Sequence, residues 1–473
     1  MQFQLNISGF HYDQIRIHLY PGDNLEAVAV ALCGRLANNG VHKLLVNEIV
    51  LIPHSECHRT PDFVSWKTDR ITQLLEKASK YDYAILKIHS HPGGYEQFSS
   101  LDDDSDNRLF SSVFGWTDTN HPHASSVMLP DGIIFGRVFY SNLNTEVINK
   151  ISVAGDLIRI WDYSANKSSD NEIGKRTVQT FGEGTFSLLK KIKIGVIGCS
   201  GTGSPVVEQL VRLGVGDLVL VDPDKVELKN LNRILNTKLS DAKEKRFKVD
   251  VLKEAISSFD LGTSVETFSE NIYNDLHCLR KLAECDTLFG CVDSVDGRDL
   301  INRISTYYII PYFDLGIKLE ADGVGGISKI VGTVNYIQPG KSSLMSRGLY
   351  DSEDLKAAGL YRMYPDQYPD LVKNSYIKNL NVNRPAVISV NMMIASYAIN
   401  EFLNRIHPYK VDHNREFSKT TIDITEGCFI HLSEDRLKED SFLKAKIGLG
   451  DRKIFLDLVE LSTLKDEHLA KKY

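Results

Sequence analysis

Cysteine is scarce: seven residues in 473, running from Cys33 to Cys428, with no CxxC pair among them. An odd, scattered set of that kind excludes a disulfide scaffold and suits a reducing compartment, by default the cytoplasm. Long hydrophobic runs are also missing. The most apolar stretch, residues 385 to 406, is broken by Ser389, Asn391, Ser396, Asn400 and Glu401, and the N-terminal MQFQLNISGFHYDQIR has neither a basic segment nor a continuous apolar one. No membrane span and no signal peptide are therefore expected. There is no excess of basic charge: 55 Lys and Arg stand against 62 Asp and Glu, a formal net charge of -7, so nothing calls for nucleic acid. No internal repeat or low-complexity tract is present. What remains is an ordinary globular composition, 42% hydrophobic and 25% charged, over a length that fits two or three domains.

The first part of the chain carries short apolar runs separated by turns, with strand candidates at 44–52, 83–90 and 132–140 and a helical pattern between Phe63 and Lys80. This predicts a mixed α/β domain over residues 1–163. The polar segment SANKSSDNEIGK, 164–175, has the composition of a linker. A second domain is expected over 176–435; from Lys191 to about 323 strands and helices alternate, which implies a parallel sheet wrapped by helices. GVGGISKIVGTVNYIQPG then suggests antiparallel strands, 385–406 a long buried helix, and 436–473 a charged extension.

Two constellations carry chemistry. In HSHPGGYEQFSSLD, His89 and His91 sit at i and i+2, so a strand would present both imidazoles to one ion while Ser90 faces away. Pro92 and two glycines turn the chain, letting Asp102 return as a third ligand. Two His, one carboxylate and an open position for water suit a hydrolytic zinc site. Such a site needs a general base, and Glu48, on the adjacent strand candidate, is the expected one; Glu56 lies close by, and strand phase chooses between them. A rival cluster of His54, Glu56, Cys57 and His58 has ligand-type residues in an expected loop. The spacing His-x-His-Pro, six residues, Ser-x-x-Asp resembles the JAB/JAMM metallopeptidases, which cleave peptide or isopeptide bonds after ubiquitin-like C-termini. The resemblance implies zinc on His89, His91 and Asp102, acid–base work by Glu48, and oxyanion stabilisation by Ser99.

The second constellation starts at GVIGCSGTGSP, a glycine loop between a strand and a helix, with Gly198, Gly201 and Gly203 where backbone amides hold phosphates. Asp222, at the end of the next strand, is placed for ribose hydroxyls. Those features fit NAD as well as ATP. The continuation VDPDKVELKNLNR, then Lys248 and Asp293, favours ATP: Asn230, Arg233 and Lys248 would converge on a polyphosphate and Asp293 would hold Mg²⁺. This ordered set resembles the ThiF/MoeB and ubiquitin-activating adenylyltransferases, over about residues 171 to 406. The resemblance implies a Rossmann-like, doubly wound domain and a homodimer in which Arg176 reaches the partner's ATP site. Two departures stand out. No cysteine lies between Cys291 and Cys428, so a thioester step is not expected, and SSLMS replaces the CxxC that many members place after QPG, so zinc is expected only in the N-terminal domain. Ser343 and Ser346 are expected as loop residues rather than nucleophiles, and Cys199 and Cys428 as tolerated thiols.

The expected function is ATP-dependent adenylation of the C-terminal Gly of a ubiquitin-like protein, coupled to a zinc peptidase that processes or deconjugates it, with a conjugating enzyme as a further partner. The alternative is biosynthetic adenylation of a sulfur carrier or small peptide. A scaffold with dead sites and an NAD oxidoreductase fit fewer of the residues.

Overall fold

A strand covered on both faces needs apolar side chains at nearly every position, and the runs AVAVALC and AILKI supply them. In the computed structural model, which describes residues 1–38, 40–164, 174–322, 324, 326–368, 372 and 387–462, these two runs pair at the middle of a nine-stranded sheet. In chain order its first strands are β1 (Gln2–Ser8), β2 (Val28–Asn38) and β3 (Val41–Leu51). A separate hairpin of β4 (Cys57–Thr60) and β5 (Phe63–Trp66) follows. The sheet then continues with β6 (Ala84–Ser90), β7 (His123–Met128), β8 (Ile134–Phe139), β9 (Thr145–Val147), β10 (Lys150–Ala154) and β11 (Ile158–Asp162). The spatial order is β11-β10-β1-β3-β2-β6-β7-β8-β9. Three helices accompany it: α1 (Gly9–Leu19), α2 (Thr72–Tyr81) and α3 (Ser100–Thr117). The helical pattern expected from Phe63 is realised only from Thr68, as a 3₁₀ turn over Thr68–Ile71 that leads into α2. Phe63–Trp66, aromatic and β-branched, pairs instead with β4.

The chain divides into two compact units. The first takes the described residues up to Ser164 together with Tyr307–Ile309 and Ala445–Asp457. That last piece falls in the stretch expected as a charged extension; its Asp451 N–H donates to the Arg35 carbonyl at 2.7 Å. Of the linker expected at 164–175, residues 165–173 lie outside the described residues.

The second unit holds α4 (Lys175–Leu189), β12 (Lys193–Ile197), α5 (Gly203–Arg212), β13 (Asp217–Val221), α6 (Leu239–Lys243), α7 (Lys248–Phe259), β14 (Ser264–Phe268), α8 (Leu276–Ala283), β15 (Thr287–Gly290) and, up to Thr306, α9 (Val295–Tyr308). β16 (Tyr312–Ala321), β17 (Ile327–Ile337), β18 (Lys419–Asp423) and β19 (Cys428–Leu432) complete its sheet. The order is β14-β13-β12-β15-β16-β17-β18-β19, parallel through β16 and antiparallel beyond. The first five strands therefore run outward in both directions from β12, the doubly wound arrangement whose switch point lies between β12 and β15. The expected buried helix is present as Ile388–Ile406, although Met392 and Met393 on it are exposed.

Where SSLMS stands after QPG, hydroxyls and ions tie the chain. Ser342 donates its N–H (2.8 Å) and hydroxyl (2.6 Å) to Glu434, Ser343 donates its hydroxyl to Asp440 at 2.5 Å, and Ser346 donates to the Lys438 carbonyl at 2.6 Å. The Arg347 side chain, 0% exposed, pairs with Glu434 at 3.0 Å. Ser343 and Ser346 are thus used as fasteners between two loops. Glu434→Ala leaves the Arg347 guanidinium buried without its carboxylate, and a loss of about 3–5 kcal/mol is expected. Chemical denaturation of the full chain, read as the shift of the second unit's transition, measures it.

Candidate functional site

The end of β6 builds the first site. Strand alternation turns His89 and His91 to one side while Ser90 turns to the other, where its hydroxyl accepts the Ala27 N–H at 2.9 Å and its own N–H donates to the Ala27 carbonyl at 3.1 Å. The two imidazoles approach through Nε2 at 3.2 Å. Asp102, from the first turn of α3, lies 2.8 Å from His89 Nε2 and 3.3 Å from His91 Nε2. Ser99 caps that helix: its N–H and hydroxyl both donate to Asp102 Oδ2 at 2.7 Å, and it accepts the Asp102 N–H at 3.1 Å. Ser99 therefore orients Asp102. A second carboxylate, Glu26, places an oxygen 3.9 Å from His91 Nε2. Glu26, His89 and His91 are the buried ligand-type cluster among the described residues.

The electrostatics follow from this enclosure. Burial would raise the Asp102 carboxyl, but hydrogen bonds from His89 and His91 outweigh it and hold the group far below the usual range. Burial pushes Glu26 up to about 8 against the pull of His91. Burial also lowers His89; it would lower His91 too, but Asp102 and the Tyr95 carbonyl, 2.7 Å from Nδ1, raise that ring instead. Two imidazole nitrogens facing each other can share one proton at most, so their lone pairs and the flanking carboxylates fit a divalent cation.

Glu48 stands elsewhere, which corrects the expected base. Its register partner on β2 is Leu32, and Leu32 pairs in turn with Ile85 on β6. Glu48 is thus two strands over from Ile85 and about 13 Å of strand short of His89. Half-buried there, it pairs with Lys77 at 2.5 Å. Glu26 occupies the place instead because the β2–β6 register sets Val28 opposite His89, and two residues back along β2 is two residues on along β6. The available sequence signal was an acid at the mouth of AVAVALC. Glu56 is exposed against Arg70, and His54 stacks on His18 with its Nε2 against the His18 carbonyl, so the rival cluster does not converge.

The second unit gathers its polar residues at the switch point. Gly198, at φ 89°, and Gly203 both require glycine: a Cβ on Gly198 would lie 2.6 Å from the Cys291 carbonyl oxygen, and one on Gly203 1.8 Å from that of Gly198. At Gly201 a Cβ would come 3.0 Å from Arg233 Cδ, so the Arg233 stem covers the loop. Asp222 is buried and accepts the Cys199 N–H at 2.7 Å and the Asp224 N–H at 2.9 Å. Lys248 is also buried, 3.4 Å from Asp222 and 2.6 Å from Asp224. Burial raises the Asp222 carboxyl, opposed by Lys248, whose own ammonium Asp222 and Asp224 hold charged against burial. Asn230 is fixed by accepting the Glu227 N–H at 3.0 Å. Asp293 is exposed just past β15, and Arg176 is exposed on α4, bonded to Gln179 at 3.1 Å. Cys199 is buried, with its thiol pushed up by burial, whereas Cys428 is exposed. Sequence reasoning missed Asn391, buried and donating to Thr202 Oγ1 of the loop at 2.8 Å.

A family model described as the ThiF family matches residues 174–432, more than half of the chain. The chain belongs to the ThiF family. A second model, described as prokaryotic homologs of the JAB domain, matches residues 10–129. This ThiF-family protein therefore joins a JAB-like domain to a ThiF domain. It is 28% identical over 167 residues to ubiquitin-like modifier-activating enzyme 5 of Culex quinquefasciatus, a match covering 33% of this chain and 40% of that protein. The protein of the same name from Caenorhabditis briggsae is also 28% identical over 167 residues, covering 33% and 36%. The ThiF-family chain thus spans about two fifths of the length of these curated relatives. Among solved structures, E. coli MccB with ATP aligns at 19% identity and a TM-score of 0.41, over 56% of this chain and 72% of that one. Among the described residues no helix is long and apolar enough to cross a membrane.

For the full ThiF-family chain, zinc content by mass spectrometry after dialysis is expected to fall to background in His89→Ala/His91→Ala. Glu48→Gln is expected to keep the wild-type content.

Proposed function

We propose that the protein activates the C-terminal glycine carboxylate of a ubiquitin-like protein by adenylation, and that its N-terminal domain hydrolyses the bond following such a C-terminus in a precursor or conjugate. The observation that carries this reading is the glycine loop, Asp222 and Lys248 gathered at the switch point of a ThiF-family domain, on one chain with a buried His–His–carboxylate cluster in a JAB-like domain. Relatives named as ubiquitin-like modifier-activating enzymes support the choice of substrate.

In the adenylation step a carboxylate oxygen attacks the α-phosphorus of ATP, the bond to the β-phosphate bridging oxygen breaks, and acyl-adenylate and pyrophosphate result. Lys248, Arg233, Asn230 and the amides of the Gly198–Gly203 loop neutralise and position the phosphates, and Asp222 takes the ribose. Mg²⁺ near Asp293 would offset charge on the phosphates. Arg176 from a second copy completes the pocket, so the working form is a homodimer. The absence of cysteine from 292 to 427 favours handing the adenylate directly to an acceptor, which a conjugating enzyme or, in the biosynthetic reading, a thiolating or amidating partner supplies.

In the N-terminal domain His89, His91 and Asp102 hold zinc, which when bound would acidify a water and polarise the scissile carbonyl. Glu26 takes a proton from the attacking water and returns it to the leaving amine. Ser99 keeps Asp102 in place. Both activities on one chain suit a single protein substrate in a reducing compartment such as the cytoplasm.

Two experiments test the reading. Intact mass of a candidate ubiquitin-like protein, incubated with the enzyme, ATP and Mg²⁺ and trapped with hydroxylamine, is expected to show an ATP-dependent adduct. Asp293→Ala should reduce its rate by about 10²-fold or more; an undiminished rate would count against this assignment. With a fusion in which a reporter follows the same C-terminus, Glu26→Gln is expected to slow cleavage by about 10²–10⁴-fold and Glu48→Gln to leave it near wild type.

A further inference from the structure

Lys87 is an anomaly in its strand. β6 is buried along its length, and two residues before His89, on the same face, stands a lysine whose side chain is only 2% exposed. Its ammonium lies 2.7 Å from Asp106, which is 0% exposed and stands one helical turn beyond Asp102 on α3. Arg137, from β8, closes the cluster: it reaches the other Asp106 oxygen at 2.8 Å and Asp103 at 2.5 Å, and stacks on Phe98 at 3.9 Å. A buried ion pair of this kind contributes little net stability, because desolvating both charges offsets their attraction; setting register is its best-attested use.

The geometry gives that use a target. Two residues of strand advance about 6.7 Å and four residues of helix about 6 Å, so β6 and α3 meet in two matched rungs. One is His89 with Asp102, the other Lys87 with Asp106. Both carboxylates lie on the buried face of α3, which continues through Phe110 and Val113. A slip by one turn would bring Asp106 to His89 in place of Asp102 and set Lys87 against Phe110.

We propose that the Lys87–Asp106–Arg137 cluster is a register lock, which claims Asp106 and so selects Asp102 as the carboxylate facing His89 and His91. This rests on the metal-centre reading above. Lys87 and Asp106 are positioning residues: they act through the placement of α3 and Asp102, and Lys87 keeps Asp106 from competing as a ligand.

The test uses the full chain and metal binding rather than turnover. Lys87→Met leaves Asp106 paired with Arg137, and Lys87→Met/Asp106→Leu replaces the Lys87–Asp106 pair with apolar groups of similar volume while Arg137 keeps Asp103, so no charge is left without a partner. Zinc affinity by chelator competition is expected to weaken by about tenfold or more in both variants, with an altered visible spectrum of the Co²⁺-substituted protein and an unchanged melting temperature in the double variant. Wild-type affinity and spectrum in both variants would overturn the register lock and leave the metal centre standing. A wild-type chain that binds no zinc would overturn both.

Discussion

A strand inside a sheet must spend its backbone donors and acceptors on its neighbours, and if both its faces are covered it must be apolar as well. Polar chemistry is then pushed to the strand's end, where the ladder stops and the chain turns. Both candidate sites obey this constraint. The imidazoles of His89 and His91 stand where β6 runs out, and the glycine loop and Asp293 follow β12 and β15 where the parallel sheet ends.

The two sites use that position differently. In the JAB-like domain the chain turns from a strand into a capped helix, and the same capping pair, Ser99 and Asp102, that closes the first turn of α3 aims a carboxylate at both imidazoles. Local helix chemistry and ligand geometry are thus one set of hydrogen bonds. In the ThiF domain the loop is shaped by close backbone approach at Gly198 and Gly203, and the buried Asp222 and Lys248 are held against it by each other and by backbone amides. One domain concentrates nitrogen and carboxylate ligands, the other amides and cations. A divalent cation suits the first, a polyphosphate the second.

Buried charge recurs as a device of specificity in both units. Arg347 and Glu434 fasten two loops of the second unit together with serine hydroxyls, in a stretch where the sequence has no cysteine to recruit a metal. Lys87 and Asp106 join a strand to a helix in the first. In each case a buried pair joins two segments that lie far apart along the chain.

Much of this was legible along the chain because it is local. The i, i+2 spacing of His89 and His91 and the Ser-x-x-Asp cap place four side chains within one strand, turn and helix start. Alternating strands and helices, with an acid at the end of DLVLVD, likewise announce a doubly wound sheet and its loop. What the sequence could not decide is which distant residue lies beside these. Glu48 and Glu26 both stand by apolar runs that form strands, and only the pairing of Val28 with His89 and of Leu32 with Glu48 separates them, since register is set by the packing of the whole sheet. The same holds for Lys87 and Asp106, nineteen residues apart, and for Asn391 beside Thr202, 189 apart. Sequence by itself determined the sheet-and-helix order around the two sites and the ligand types; tertiary structure alone decided their partners, because contact across a sheet depends on strand order and register that no local pattern encodes.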